Sequence, residues 1–239
     1  MSTATEANAS AAQVAPTTLA GAAAANLIRS GDLLHVRNDH FIGRAIRRAI
    51  GSWGNHNAIF ARPDNQLCIG ESTWPRSQCT DLATYDARIA SGHTQAIVLR
   101  PTNATLAQGS LAAAWWLRNA QGRPYDLGAY PRLLLKSIFG DICQRAAGWE
   151  WAWYCTESCR DAWRNGPGLD PWQKTNPTPR TTEKRLAAGA FQLIWSSTPD
   201  FKITQPEFTQ SPFRDFRARL HRYAKHCGQA FRSCLPPVF

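Results

Sequence analysis

The sequence predicts an α+β fold built on an antiparallel sheet, and three observations carry that expectation. Apolar runs of strand length at residues 33–36, 56–60, 67–71 and 95–99 alternate with stretches of helical period. The turn-forming run Arg62-Pro63-Asp64-Asn65 joins two of those strands directly. Ten Trp and 44% apolar residues in 239 positions are enough to fill a core of domain size.

Residues 1–25 are Ala-, Thr- and Ser-rich and are expected to be a disordered arm, without the charged start and apolar middle of a secretory signal. Gly31-Asp32 leads into the first strand, residues 33–36. Between Phe41 and Ile50 the apolar residues Phe41, Ile42, Ala45, Ile46, Ala49 and Ile50 recur at three and four, and Arg44, Arg47 and Arg48 take the other face. This is an amphipathic helix closed by Gly51. The strands at 56–60 and 67–71 form a hairpin. Folding about the middle of the four-residue turn sets His56 opposite Glu71, and period two puts both on one face with Ala58, Phe60, Leu67 and Ile69. The strand at 95–99 ends at Pro101.

Leu106 to Asn119, rich in Ala and Leu, reads as a helix ending before Gly122-Arg123-Pro124, and helix is expected beyond Pro131. After a Trp-rich approach, Cys155, Cys159, Ala162 and Trp163 share one helical face, and Asn165-Gly166-Pro167 stops the helix. Thr156 and Glu157 in the first turn place Cys155 at or near its N-terminus. A Pro-rich loop follows, and residues 183–195 return to the core as a short helix or strand. Residues 26–200 are thus read as one domain and 201–239 as a basic extension.

Charge is uneven. Residues 211–239 hold six basic residues against Asp215, half of the net +10. Such an end suits an anionic membrane surface better than nucleic acid. No apolar run approaches the roughly 20 residues of a spanning helix, so cytoplasmic residence, or export by a dedicated secretion machine, is the expectation. Seven cysteines, an odd number, leave at least one thiol free.

A cysteine at a helix N-terminus, an imidazole and a carboxylate held beside it are the parts of an activated nucleophile. The order of elements resembles the circularly permuted branch of the NlpC-type papain-like hydrolases, the YiiX-like group. Gly31-Asp32-Leu33-Leu34 resembles its opening strand, Asn55-His56-Asn57-Ala58-Ile59 its "SHVGI" strand, and Cys68-Ile69-Gly70-Glu71 its "VIEA" strand. Residues 96–101 resemble its third strand, Gly122-Arg123-Pro124-Tyr125-Asp126 its G-x-x-Y-D element, and Tyr154-Cys155-Thr156-Glu157-Ser158 its x-C-S-E-L segment. The likeness covers about residues 27–165. Asn55 and Asn57 replace Ser and Val around the histidine, and Ser158-Cys159 replaces an apolar pair.

The resemblance implies a permuted papain-like domain whose antiparallel sheet packs on a Cys-bearing helix. It implies Cys155 as nucleophile, His56 as base and Glu71 as third member of the site, with no metal or other cofactor. Tyr154, Trp53 and Asn55 are the candidates for substrate contact. Cell-wall peptides, cleaved at amide bonds, are the first expected substrate. Phospholipid acyl chains, handled by the related lecithin retinol acyltransferase group, are the second. The remaining alternative is a non-enzymatic basic module with inert cysteines. A zinc site from His56, Glu71, Cys155 and Cys159 is disfavoured because no ligand pair has zinc-finger spacing.

Overall fold

The computed structural model describes residues 16–126, 154–174, 177–198 and 201. Six strands form one antiparallel sheet: β1 (Leu33–Asn38), β2 (His56–Ala61), β3 (Cys68–Glu71), β4 (Gln78–Asp81), β5 (Thr94–Pro101) and β6 (Phe191–Ser196). Their spatial order is β4-β3-β2-β1-β5-β6. Six α-helices accompany them among the described residues: α1 (Leu19–Ala24), α2 (Phe41–Ile50), α3 (Leu82–Ala90), α4 (Leu106–Asn119), α5 (Cys155–Asn165) and α6 (Pro179–Ala187).

Alternation along the strands builds a core on each face of the sheet. On one face Leu34, Val36, Ala58, Phe60, Ile69 and Val98 pack with Leu19 and Ala22 of α1 and Tyr85 of α3. On the other, Leu33, Ile59, Ile97 and Leu99 pack against Trp116 of α4 and Cys159, Ala162 and Trp163 of α5. The α+β expectation and its antiparallel sheet therefore hold. The Asp32 carboxylate, just before β1, is paired with Arg100 of β5 at 2.7 Å, tying the two central strands where the sheet begins.

Three differences from the sequence reading have physical causes. Order starts before residue 26. Thr18 caps α1, Asp86 of α3 accepts from the Leu19 and Ala20 amides at 2.7 and 3.0 Å, and the Trp195 indole donates to the Pro16 carbonyl. These partners lie roughly 70 to 180 residues away, so local composition carries no sign of them. Strand β4 and helix α3 were not anticipated; Gln78–Asp81 is exposed at both ends, buries only Thr80 and carries no apolar run.

The hairpin register is displaced by two. Ala58, not His56, lies opposite Glu71, and His56 pairs with Val36. Asp64 and Asn65 take positive φ of 49° and 65°, a region that Asn and Asp tolerate, so the connection lengthens to residues 62–67. A shift of two preserves the face, so His56 and Glu71 remain on one side as diagonal neighbours.

Helix α2 has its expected limits and an unusual orientation. Gly43 and Arg47 are its buried positions, whereas Phe41 and Ile42 are 79% and 57% exposed. A Cβ on Gly43 would stand 2.4 Å from the Asn38 carbonyl oxygen, so this helix face approaches β1 too closely for any side chain. Arg47 bonds Asp39 beneath the helix and reaches the Trp53 carbonyl. These contacts leave Phe41, Ile42 and Ala45 of the apolar stripe exposed and Ile46, Ala49 and Ile50 half-buried. The expected helix beyond Pro131 and the basic segment 211–239 lie outside the described residues.

Candidate active site

His56 opens β2, Glu71 closes β3, and Cys155 is the first residue of α5, with Tyr154 as its N-cap. The three predicted side chains meet at one end of the sheet. His56 Nε2 lies 3.1 Å from Glu71 Oε2, and the Cys155 thiol is near enough to the same imidazole for the two to interact electrostatically. With Nε2 turned to the carboxylate, Nδ1 is the nitrogen left for the thiol.

Glu71 is almost fully buried and heavily supported. Thr80 Oγ1 donates to its Oε1 at 2.6 Å, the Tyr85 hydroxyl donates to Oε2, and the Arg88 guanidinium stands 3.6 Å away. Thr80 comes from β4, and Tyr85 and Arg88 from α3, the two elements the sequence reading missed. Burial alone would raise the carboxyl pKa, but the bonds from His56, Thr80 and Tyr85 outweigh it and lower it from 4.5 to about 2.

Burial likewise opposes charge on His56 and on Cys155, and each compensates the other. Interaction with the Cys155 thiolate, and then with Glu71, outweighs desolvation and pushes His56 up from 6.5 to about 10. His56 in turn lowers the Cys155 thiol below its ordinary value, helped by the Asn57 backbone N–H and the Thr156 hydroxyl. The site thus favours a thiolate–imidazolium pair. Helix geometry also leaves the Cys155 backbone N–H without an intrahelical acceptor, free to face developing negative charge.

Behind Cys155 lies a buried polar network that sequence reasoning did not find. His35 Nδ1 bonds Asn57 Oδ1 at 2.6 Å, and its Nε2 lies 3.2 Å from Glu183 Oε1. That same oxygen accepts from Ser52 Oγ and the Gly54 amide. Asn57 Nδ2 donates to Thr156 Oγ1 at 2.8 Å and Thr182 Oγ1 at 3.0 Å, which joins β2 to α5 and α6. Direct pairing of His35 with Asn57 across β1 and β2 was readable only once the register was known.

The residues expected to contact substrate are committed elsewhere. Asn55 Oδ1 accepts from the Asn38 amide at 2.7 Å, and the Tyr154 hydroxyl donates to the Pro177 carbonyl at 2.7 Å. Trp53 lies between His35, whose ring is tilted against it, and Phe201, which it meets edge to face. The Asn55 carboxamide oxygen, the Tyr154 hydroxyl and the Trp53 ring are thus each engaged within the fold. Cys159 is fully buried in the core, one turn from Cys155. Cys68, Cys79, Cys155 and Cys159 are free thiols. Among the described residues, no group of three or more His, Cys, Asp and Glu could hold a metal ion, and no helix is long and apolar enough to cross a membrane.

Fold and site together define an α+β protein with a cysteine, a histidine and a glutamate assembled at one end of an antiparallel sheet. No family model matches the chain, and no curated protein matches it. Among solved structures it is similar to the metalloprotein YiiX from Escherichia coli O157:H7, at a TM-score of 0.44 and 17% identity, over 68% of this chain and 84% of that one.

Proposed function

We propose that this chain is a cysteine hydrolase of permuted papain-like architecture that cleaves an acyl bond through a covalent intermediate. The observation that carries the reading is the single imidazole of His56 placed between the Cys155 thiol at a helix N-terminus and the Glu71 carboxylate. The Cys155 thiolate attacks the substrate carbonyl carbon, and the oxyanion formed is stabilised by the Cys155 backbone N–H. Collapse breaks the bond to the leaving amine or alcohol, which takes the proton from His56. Neutral His56 then accepts a proton from water as that water attacks the thioester, releasing the acid and restoring the thiol. Glu71 holds the imidazole and balances its charge throughout.

Amide bonds of cell-wall peptides are the first substrate class for assay. Phospholipid esters are a second, favoured by the apolar side chains exposed beside the site at Phe41, Ile42 and Trp74. The test is alkylation by iodoacetamide from about pH 5 to about 9, on the wild type, Cys155→Ala and His56→Ala, with peptidoglycan fragments or phospholipid vesicles as competitors. The reading expects one thiol that reacts below its ordinary pKa, is lost in Cys155→Ala and is slowed in His56→Ala. Uniform alkaline labelling of all accessible thiols would mean an inert cysteine and a binding module.

A further inference from the structure

The register of the sheet places three things at one end. Val36 pairs with His56 and Ala58 with Glu71, so the last residues of β1 and β3 lie at the end where β2 begins. Helix α2 follows β1 there, and the connection from β3 to β4 leaves there with Trp74, which is 66% exposed. Both apolar projections therefore flank the end that holds Cys155, His56 and Glu71.

The outward orientation of α2 is built in. Gly43 against Asn38, and Arg47 with Asp39, hold the helix so that Phe41 and Ile42 face solvent. Leaving two large apolar side chains in water forgoes the burial that an amphipathic helix normally gains by facing the core. Charge identifies what such a face would meet. On α2 the one nearby acid, Asp39, is taken up by Arg47, which leaves Arg44 and Arg48 without a carboxylate partner, and residues 72–80 contain Arg76 and no acid. Arg44, Arg48 and Arg76 are exposed beside the apolar side chains. Apolar residues rimmed by uncompensated Arg, with a Trp among them, fit the boundary between anionic head groups and acyl chains. A protein groove would offer the apolar contact but has no general reason to supply negative charge on both segments.

We propose that the active-site end is a docking face for an anionic phospholipid bilayer, with Phe41, Ile42 and Trp74 entering the acyl boundary and Arg44, Arg48 and Arg76 meeting phosphates. Docking is distinct from the thiol chemistry, and catalysis would gain from it a substrate presented at the membrane surface.

Sedimentation of the full chain with vesicles of phosphatidylcholine alone, or of phosphatidylcholine with phosphatidylglycerol, tests it. Binding is expected only to the anionic vesicles. The double change Phe41→Asp with Ile42→Asp, and separately Trp74→Ala, should each weaken it by about tenfold or more. Leu106, 60% exposed at the opposite end where β5 finishes, supplies the control: Leu106→Asp should bind as wild type. Equal binding to neutral vesicles, undiminished binding by both apolar variants, or an equal loss in Leu106→Asp would overturn the proposal. Thermal melting by circular dichroism checks folding, and Phe41→Ser with Ile42→Ser replaces the aspartate pair if that variant does not melt cooperatively. Iodoacetamide reactivity of Cys155 is read separately, so loss of the hydrolase reading and loss of docking are distinguishable.

Discussion

Cys155 carries a hydrophobe's burial and a nucleophile's electrostatics, and the difference lies in three neighbours. His56, the Asn57 amide and the Thr156 hydroxyl act in the same direction against desolvation. Alkylation of Cys155 should therefore already proceed at about pH 6, where an ordinary thiol is almost wholly protonated, and His56→Ala should slow it there by about tenfold or more. Glu71→Gln keeps the shape of its site and removes the charge. The His56 pKa, read by NMR of the imidazole, should fall, and the thiol should require higher pH to react. Tyr85→Phe removes one donor from a nearly buried carboxylate, which costs about 1 to 3 kcal/mol in stability, measurable by urea unfolding. A fold that unfolds at wild-type urea concentrations in that variant would show that Tyr85 does not support Glu71.

At the scale of elements, α5 and α6 are tied to the sheet through Asn57 and Glu183. The Glu183 carboxylate faces His35, Ser52 and the Gly54 amide together, and these bonds outweigh its burial and lower its pKa. Glu183→Ala would leave these donors buried and without an acceptor, so a loss of about 3 to 5 kcal/mol is expected in chemical denaturation. Gly54 is constrained for a different reason. A Cβ there would lie 2.4 Å from His35 Nε2, so Gly54→Ala must displace the ring that pairs with Glu183. Its expected effect is about 1 to 3 kcal/mol, with slower Cys155 alkylation because Asn57 loses its anchor. The Asn57 that departs from the resembled motif is thus accounted for: its side chain bridges β1, α5 and α6 while its amide faces the thiol.

At the scale of the whole molecule, Glu71 should make the fold sensitive to acid. Glu71 has a folded pKa of about 2 against 4.5. Its contribution is complete above the unfolded value and is lost as pH falls from about 4.5 to about 2, amounting to about 3 kcal/mol. Thermal melting across that window should show a fall that Glu71→Gln largely removes; an unchanged pH profile in the variant would contradict the linkage. Much of the architecture is legible along the chain. The limits of α2 and α4, four of the six strands, the helical start at Cys155 and the shared face of His56 and Glu71 all follow from apolar period, turn residues and stop signals, which act within a few neighbours. Three features depend on contacts that no period or propensity signals: the helix at Leu19–Ala24, whose partners Asp86 and Trp195 are distant in the chain, and, from nearer residues, the outward placing of Phe41 and Ile42 on α2 and the support of Glu71 by Thr80 and Tyr85. Period and propensity specify which residues share a face. Which face meets the core is settled by close approaches such as Gly43 on Asn38, and by buried charges that must find partners wherever the fold brings them.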